Sequence, residues 1–381
     1  MTLTVVSDVL GKENNGTTIA AMNLIRSMRA KGHTVRVVCS DADRKDEKDF
    51  FVVPTLDLGP INKAVEKNGV KLSKPVDSVI LAALDGADAL HVMFPFPLAI
   101  RAVKLARMKG LPITAGFHCQ AENFTSHIFM MNSRLTNHIV YRVFDRTVYR
   151  HVGCIHYPTE FIRSLFESEI GHKTRGRVIS NGVNRQFRPR SVEKPDDLKD
   201  RFVILFTGRY SKEKSHKVLI DAVALSRYRD RIQLIFAGAG PLEDRLKKRS
   251  AKLPNMPRFE FYSRDELVDI INYSDLYVHP AEIELEAIAC LEAISCGLVP
   301  VISDSPRSAT RCFAQSTRNL FNCNDPEDLA KKIDWWIEHP EEKASCSRSY
   351  LGYSRQFDFD YCMDEMERMI LENAEEHNEA R

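Results

Sequence analysis

Asp275-Leu-Tyr-Val-His279-Pro-Ala-Glu-Ile-Glu-Leu-Glu-Ala-Ile-Ala-Cys-Leu-Glu-Ala-Ile-Ser-Cys-Gly297 contains a strand, a break and a helix in one short run. The apolar stretch up to His279 has the composition of a short buried strand, and Pro280 ends it. From Glu286 onward the residues are helix formers, and Gly297 supplies the stop. A strand followed directly by a helix is the building block of an α/β fold with a parallel sheet. The same rhythm recurs along the chain. Leu3–Val6, Thr34–Val38, Ala89–Met93, Pro112–Ala115 and Cys154–Tyr157 read as strands of one sheet. Helix-length segments such as Thr18 to Lys31, closed by Gly32, separate them. A second series runs through Phe202–Phe206, Ile232–Phe236, Phe259–Tyr262, Leu276–His279 and Val299–Ile302. The expectation is two Rossmann-like domains over 1–185 and 186–355, with the proline-broken stretch Arg188 to Asp197 at the entry to the second. A C-terminal segment, 356–381, follows, and composition leaves open whether it packs or frays.

The helix expected after His279 gives this stretch its chemistry. The first turn of a helix has unpartnered N–H groups and a positive dipole end, so the backbone at Ala287, Ile288 and Ala289 suits an anion. Glu284 and Glu292 flank that start, eight residues apart. If all eight were helical they would rise about 12 Å, comparable to the span from ribose to sugar ring in a sugar diphosphonucleoside. The same spacing also fits a solvated helix with surface carboxylates, because Glu is a common helix former.

Two cations answer the anion site. Arg209 and Lys214 follow the apolar strand Phe202–Phe206, and ligands of doubly wound domains bind at that carboxyl edge. Read alone, Arg209, Lys212, Lys214 and Lys217 also fit an exposed basic loop.

Taken together, Asn181-Gly-Val-Asn-Arg-Gln-Phe187-Arg-Pro189, Phe206-Thr-Gly-Arg209-Tyr-Ser-Lys-Glu-Lys214, Ala237-Gly-Ala-Gly240-Pro241 and the two spaced glutamates resemble the retaining nucleotide-sugar glycosyltransferases of family 4. The resemblance covers most of the chain. It implies a GT-B fold, two Rossmann-like domains with parallel sheets facing a central cleft, with the C-terminal segment 356–381 crossing back to the first domain. It assigns Arg209 and Lys214 to the departing diphosphate, Glu284 to sugar hydroxyls and Glu292 to ribose. Gly240 falls in a turn near the donor, and His118, in Gly116-Phe-His-Cys, is placed on the donor sugar. A lone His after a strand also has an ordinary structural reading. Asn15 and Gly16 occupy the first glycine-rich loop, where this chain departs from the usual Gly-Gly. Ser215 stands where Gly is usual after the Lys, and Ala281 where Ser is frequent. The resemblance further implies transfer with the α configuration kept and no metal. Asp41-Ala-Asp43 and Asp358-Phe-Asp360 have the spacing of a metal motif and are read as chance.

Composition limits the setting. Nine cysteines occur singly with no Cys-x-x-Cys pair, which points to reduced thiols and a cytoplasmic chain. Met1 leads directly into a strand without signal-peptide character, and no apolar run approaches the roughly 20 residues that span a bilayer. The net charge is +2, yet residues 1–190 hold 27 Lys and Arg against 17 Asp and Glu, while the remainder holds 27 against 35. Arg134, His138, Arg142, Arg146 and Arg150 recur every four residues beside Leu135, Ile139, Val143, Phe144 and Val148, after Phe129, Met130 and Met131. A cationic amphipathic helix of this kind suits an anionic lipid surface on the inner face of a membrane. It suits equally a helix whose apolar face fills a core. Sparse aromatic interleaving argues against nucleic acid.

The basic first domain, the Asn15-Gly16 loop and Pro306-Arg-Ser-Ala-Thr-Arg311 look most like the diacylglycerol glucosyltransferase branch, which implies glucose moved from UDP-glucose to diacylglycerol. The alternatives are a soluble glycosyltransferase acting on a polysaccharide or small molecule, and a non-catalytic sugar-nucleotide-binding protein. Nucleobase, epimer, acceptor and subunit number are not written in the sequence.

Overall fold

The computed structural model describes residues 1–8, 10, 16–57, 72–126 and 130–380. Asn15 and Phe129 therefore lie outside the described residues. The chain forms two compact units, Met1–Asn181 with Cys362–Arg381, and Gly182–Tyr361.

The first unit holds seven strands: β1 Thr2–Val6, β2 Thr34–Cys39, β3 Phe50–Val52, β4 Ala89–Val92, β5 Ile113–Gly116, β6 Cys154–Tyr157 and β7 Gly176–Val178. Their order is β3-β2-β1-β4-β5-β6-β7, and every pairing is parallel. The central strands are buried almost throughout, Thr4, His91, Thr114 and His156 included, because helices cover both faces of a parallel sheet. β3 and β7 were not expected from the sequence. Each is three residues long and partly exposed at an edge, too short to show a period. Phe117 packs with Phe166 and Tyr149, ring centroids 4.7 and 5.1 Å apart, and these aromatics form part of the core. The helix Phe359–Glu379 belongs to this unit from Cys362 onward. Its buried face includes Met363, Met366, Met369 and Ile370. Glu367 accepts from His33 at 2.6 Å and Lys31 at 2.7 Å, and His377 bonds the Gly110 carbonyl at 2.9 Å.

The second unit holds β8 Phe202–Thr207, β9 Ile232–Ala237, β10 Arg258–Glu260, β11 Leu276–His279, β12 Pro300–Ser303 and β13 Leu320–Phe321. The order is β10-β9-β8-β11-β12-β13, again all parallel. Alternation along β8 divides the core in two. Ile204 and Phe206 join Leu219, Phe236 and Trp336 on one face, and Val203 and Leu205 join Tyr277, Leu291 and Ile294 on the other. Side chains two apart in a strand share a face, and each large apolar group so buried contributes about 2 kcal/mol. The chain steps outward from β8 to β9 and β10, then returns to the other flank of β8 as β11. That reversal creates a switch point between β8 and β11, the place where open α/β sheets bind ligands.

Candidate active site

The loop leaving β8 is pressed against the loop leaving β9, backbone on backbone. Tyr210 is fully buried; its N–H donates to Ala239 O at 3.0 Å and its hydroxyl to Phe236 O at 2.5 Å. A Cβ on Gly240 would lie 2.6 Å from both the nitrogen and the oxygen of Tyr210, and one on Gly238 would lie 2.0 Å from Gly208 O. Gly240 is therefore required for loop packing, whatever it also does for a ligand.

After Tyr210 the backbone makes a short turn over Lys212–Lys214, then Ser215 adopts φ 50° and ψ 34°. This left-handed conformation costs a residue with a Cβ roughly 1–2 kcal/mol, which explains why glycine suits the position and identifies the departure at Ser215 as a strained one. The turn directs Lys214 across the switch point. Its ammonium pairs with Oε1 of Glu284, and the two side chains are 20% and 12% exposed. Arg209 is half-buried, and burial lowers its pKa, with Glu213 opposing the shift. Its guanidinium stays charged.

Glu284 precedes the helix and Glu292 lies on it, so the eight residues from one to the other are not a single helical span. Residues 282–287 are not helical, and Glu284 forms an isolated parallel bridge with Ser308. Glu282 N–H bonds Glu213 O at 2.8 Å, Ser305 Oγ bonds Glu282 O at 2.6 Å, and Ala309 N–H bonds Glu284 O at 2.9 Å. Arg307 pairs with the Glu282 carboxylate. The helix begins at Ile288, not at Glu286, because Ala287 sits in the left-handed region at φ 60° and ψ 63°. The first bond that follows is Cys290 N–H to Ala287 O at 2.8 Å, so the donors of Ile288 and Ala289 precede the helical ladder. Ala281 is completely buried.

The two carboxylates carry opposite shifts. Burial acts to raise the pKa of Glu284, but Lys214 and His279 overcome it and hold the carboxyl at about 2. Glu292, buried on the helix, is pushed up to about 7 by burial, with Arg264 opposing. Arg264 Nη2 donates to Glu292 Oε1 at 2.8 Å and lies over the Phe187 ring at 5.0 Å. Sequence reasoning missed His279, Tyr277 and Arg264. A capping box at Ser263 and Glu266 marks the helix that begins at Arg264, but nothing local ties that arginine to a residue on another helix.

In the first unit, His118 follows β5 and is buried. Its ring lies 5.2 Å from that of His156 and 6.5 Å from that of Phe94. Burial, then His156 and His91, lower its pKa well below the ordinary value, so it is a neutral imidazole. Gly116 makes room for it, since a Cβ there would meet His118 Nε2 at 2.4 Å. Gly16 opens the helix Gly16–Ala30.

The helix Arg134–Thr147 divides its apolar residues between two faces. Tyr141 and Phe144 are buried, as is Val148 just beyond the helix. Leu135, Ile139 and Val143, four residues apart, are 71%, 52% and 47% exposed. Arg134, Arg142 and Arg146 are exposed beside them. Arg150 departs from the expected stripe: it lies in the following turn and pairs with the buried Asp145 at 2.5 Å. His138 likewise bonds Glu169 at 2.8 Å.

Among the described residues, no group of three or more His, Cys, Asp or Glu is arranged to hold a metal, and no helix is long and apolar enough to cross a membrane.

The family model for glycosyltransferase family 4 matches residues 14–187, and that for glycosyl transferases group 1 matches 187–350. The GDP-mannose-dependent alpha-mannosyltransferase of Corynebacterium glutamicum is 21% identical, over 92% of this chain and 84% of its own length. The alpha-monoglucosyldiacylglycerol synthase of Streptococcus pneumoniae is 23% identical over 57% of this chain and 51% of its own length. Among solved structures, HepE of Anabaena in complex with UDP-glucose superposes with a TM-score of 0.74 at 16% identity, over 98% of this chain and all of that one. The catalytic domain of cholesterol-alpha-glucosyltransferase from Helicobacter pylori is 48% identical over 40% of this chain and 96% of that one, with a TM-score of 0.39. The two family models follow one another along the chain from residue 14 to residue 350, over two parallel sheets of GT-B type, and the chain belongs to the group 1 glycosyltransferases, with family 4 over its first half.

Proposed function

We propose that the protein is a retaining hexosyltransferase that moves glucose from a nucleotide sugar, UDP-glucose first, to the hydroxyl of a lipid, diacylglycerol first, at an anionic membrane surface. The observation that carries the donor half is the meeting of Lys214 and Glu284 at the β8–β11 switch point. Arg209 and Lys214 neutralise the leaving diphosphate, where one well-aimed donor contributes on the order of 3 kcal/mol. The N–H groups of Ile288 and Ala289 add helix-terminal donors for a phosphate. Glu284, fully ionised, accepts from sugar hydroxyls, and Glu292 accepts from ribose. The acceptor oxygen bonds to the anomeric carbon as the bond to diphosphate breaks on the same face, and the hydroxyl proton passes to the departing diphosphate. His118 belongs to the other unit and enters through the family resemblance, as a neutral imidazole able to donate to a sugar hydroxyl. By the same resemblance, the reaction needs no metal.

The exposed Leu135, Ile139 and Val143 ridge with Arg134, Arg142 and Arg146 supports the membrane half. Apolar side chains on the solvent side of a helix, flanked by cations, match an interfacial helix. The synthase of Streptococcus pneumoniae, which by name makes a glucosyl lipid, supports the acceptor class. The mannosyltransferase relative, by name dependent on GDP-mannose, keeps that nucleotide in the test. The test is a thermal-shift panel of UDP-glucose, GDP-mannose and ADP-glucose, since a ligand of the folded state raises its midpoint. Transfer to diacylglycerol, a sterol and a soluble oligosaccharide is then measured, and the anomer of the product is determined. Binding of no nucleotide sugar, or equal turnover by wild type and Lys214→Ala, sinks the donor assignment; transfer only to the oligosaccharide sinks the lipid assignment.

A further inference from the structure

A buried chain of hydrogen bonds runs from the sheet to Glu284. Thr207 Oγ1 and Tyr277 Oη are 3.1 Å apart, Tyr277 Oη and His279 Nδ1 3.2 Å, and His279 Nε2 and Glu284 Oε1 3.0 Å. Thr207 closes β8, Tyr277 and His279 lie on β11, and all three are buried. The Lys214 ammonium reaches the same carboxylate oxygen, Oε1. Both side-chain partners of Glu284 thus converge on one oxygen, and Oε2 is left without a protein donor among the described residues.

The end of the chain sets its direction. An ionised carboxylate only accepts, so His279 must donate from Nε2. Lys214 already supplies a positive charge, and burial lowers the His279 pKa, so the ring is neutral. A neutral imidazole protonated at Nε2 accepts at Nδ1. Tyr277 therefore donates to Nδ1, and Thr207 donates to the Tyr277 oxygen. The Phe206 ring lies beside the imidazole, centroids 6.0 Å apart, and restricts it further.

We infer that His279 is the positioning residue of the donor site: Tyr277 and Thr207 fix its tautomer, it holds Oε1 of Glu284 inward, and Oε2 is thereby presented to the sugar hydroxyls. This rests on the assignment of Glu284 to the donor sugar. His279 itself touches no substrate.

The test uses the full chain with ring-15N-labelled histidine, together with His279→Gln, His279→Asn and Tyr277→Phe. The resonance lost in His279→Gln identifies the ring, which should show a protonated Nε2 and a bare Nδ1. Glutamine places an amide N–H near the Nε2 position, whereas asparagine is too short. His279→Asn should therefore lose roughly 10- to 100-fold in turnover, the scale found when a residue that orients a metal ligand is removed, and His279→Gln should recover most of it. Affinity for the nucleoside diphosphate alone, which lacks the sugar, should stay as in the wild type. A proton on Nδ1, or equal losses in the Gln and Asn variants, overturns the inference. If the wild type turns over no nucleotide sugar, the donor assignment fails by itself. In that case the wild-type nitrogen shifts, assigned from whichever of His279→Gln and His279→Asn folds, still decide the chain of bonds.

Discussion

Replacing Lys214 by Met removes the cation from a carboxylate that folding has largely taken out of water. Glu284 is 12% exposed in its side chain, and its pKa stands at about 2 against an ordinary 4.5. A depression of that size corresponds to about 3 kcal/mol of stability at neutral pH. Deleting one partner of a buried pair costs a similar amount, roughly 3–5 kcal/mol. Because the folded-state pKa is depressed, the contribution is complete above the unfolded value of 4.5 and disappears as pH falls toward 2. Both tryptophans, Trp335 and Trp336, lie on the helix Pro326–Glu338 in the second unit. Urea unfolding followed by tryptophan fluorescence therefore reads the unit that holds the pair. At pH 7 the Lys214→Met midpoint should drop by about 1–3 M, given a loss of about 3 kcal/mol and slopes of roughly 1–3 kcal/mol/M. At pH 3 the gap should shrink by more than half. Adding Glu284→Gln should restore most of the lost stability, since a neutral amide needs no cation. An unchanged midpoint at pH 7, or a gap of the same size at pH 3, would refute the reasoning.

Glu292 carries the opposite sign. Its raised pKa means that stability present below the unfolded value of 4.5 is lost as pH rises through about 7. Ribose hydroxyls donate to the ionised form, so nucleotide affinity should increase from pH 6 to pH 8, and calorimetry should find that slope absent in Glu292→Gln. Gly240→Ala forces a Cβ to 2.6 Å from the Tyr210 backbone and should destabilise the second unit by about 1–3 kcal/mol, the usual range for overpacking; an unaltered urea midpoint would show that the loops separate freely. Arg142→Glu with Arg146→Glu should abolish pelleting with anionic vesicles. Leu135→Ser with Ile139→Ser should weaken it without altering the fold, because both side chains face solvent. Equal pelleting of all these forms would exclude docking through this helix. Lys214→Ala should lower turnover about 100-fold, the scale of one lost transition-state donor.

Two parallel sheets were legible in the sequence because strand and helix signals are local. A buried apolar run such as Phe202–Phe206 and a stop such as Gly297 can be read without knowing their neighbours. Edge strands β3, β7 and β13 were not legible: two or three residues carry no period. The stripe at 134–150 was half legible. Spacing found the cations, but which apolar residues face the core depends on what the helix packs against. Packing buried Tyr141 and Phe144 and left Leu135, Ile139 and Val143 in solvent. Arg150 dropped out because the helix ends at Thr147.

Residue order alone determined the alternation of elements, put Arg209, Lys214 and Glu284 after strand ends and put Glu292 on the helix that follows. Tertiary structure decided how those charges are used. Lys214 meets Glu284 across 70 residues of chain, and Arg264 meets Glu292 across 28. Burial and the partner present then set one carboxyl at about 2 and the other at about 7. Identical side chains eight positions apart diverge in this way because desolvation and Coulomb energy depend on distances in space, which the order of residues does not contain.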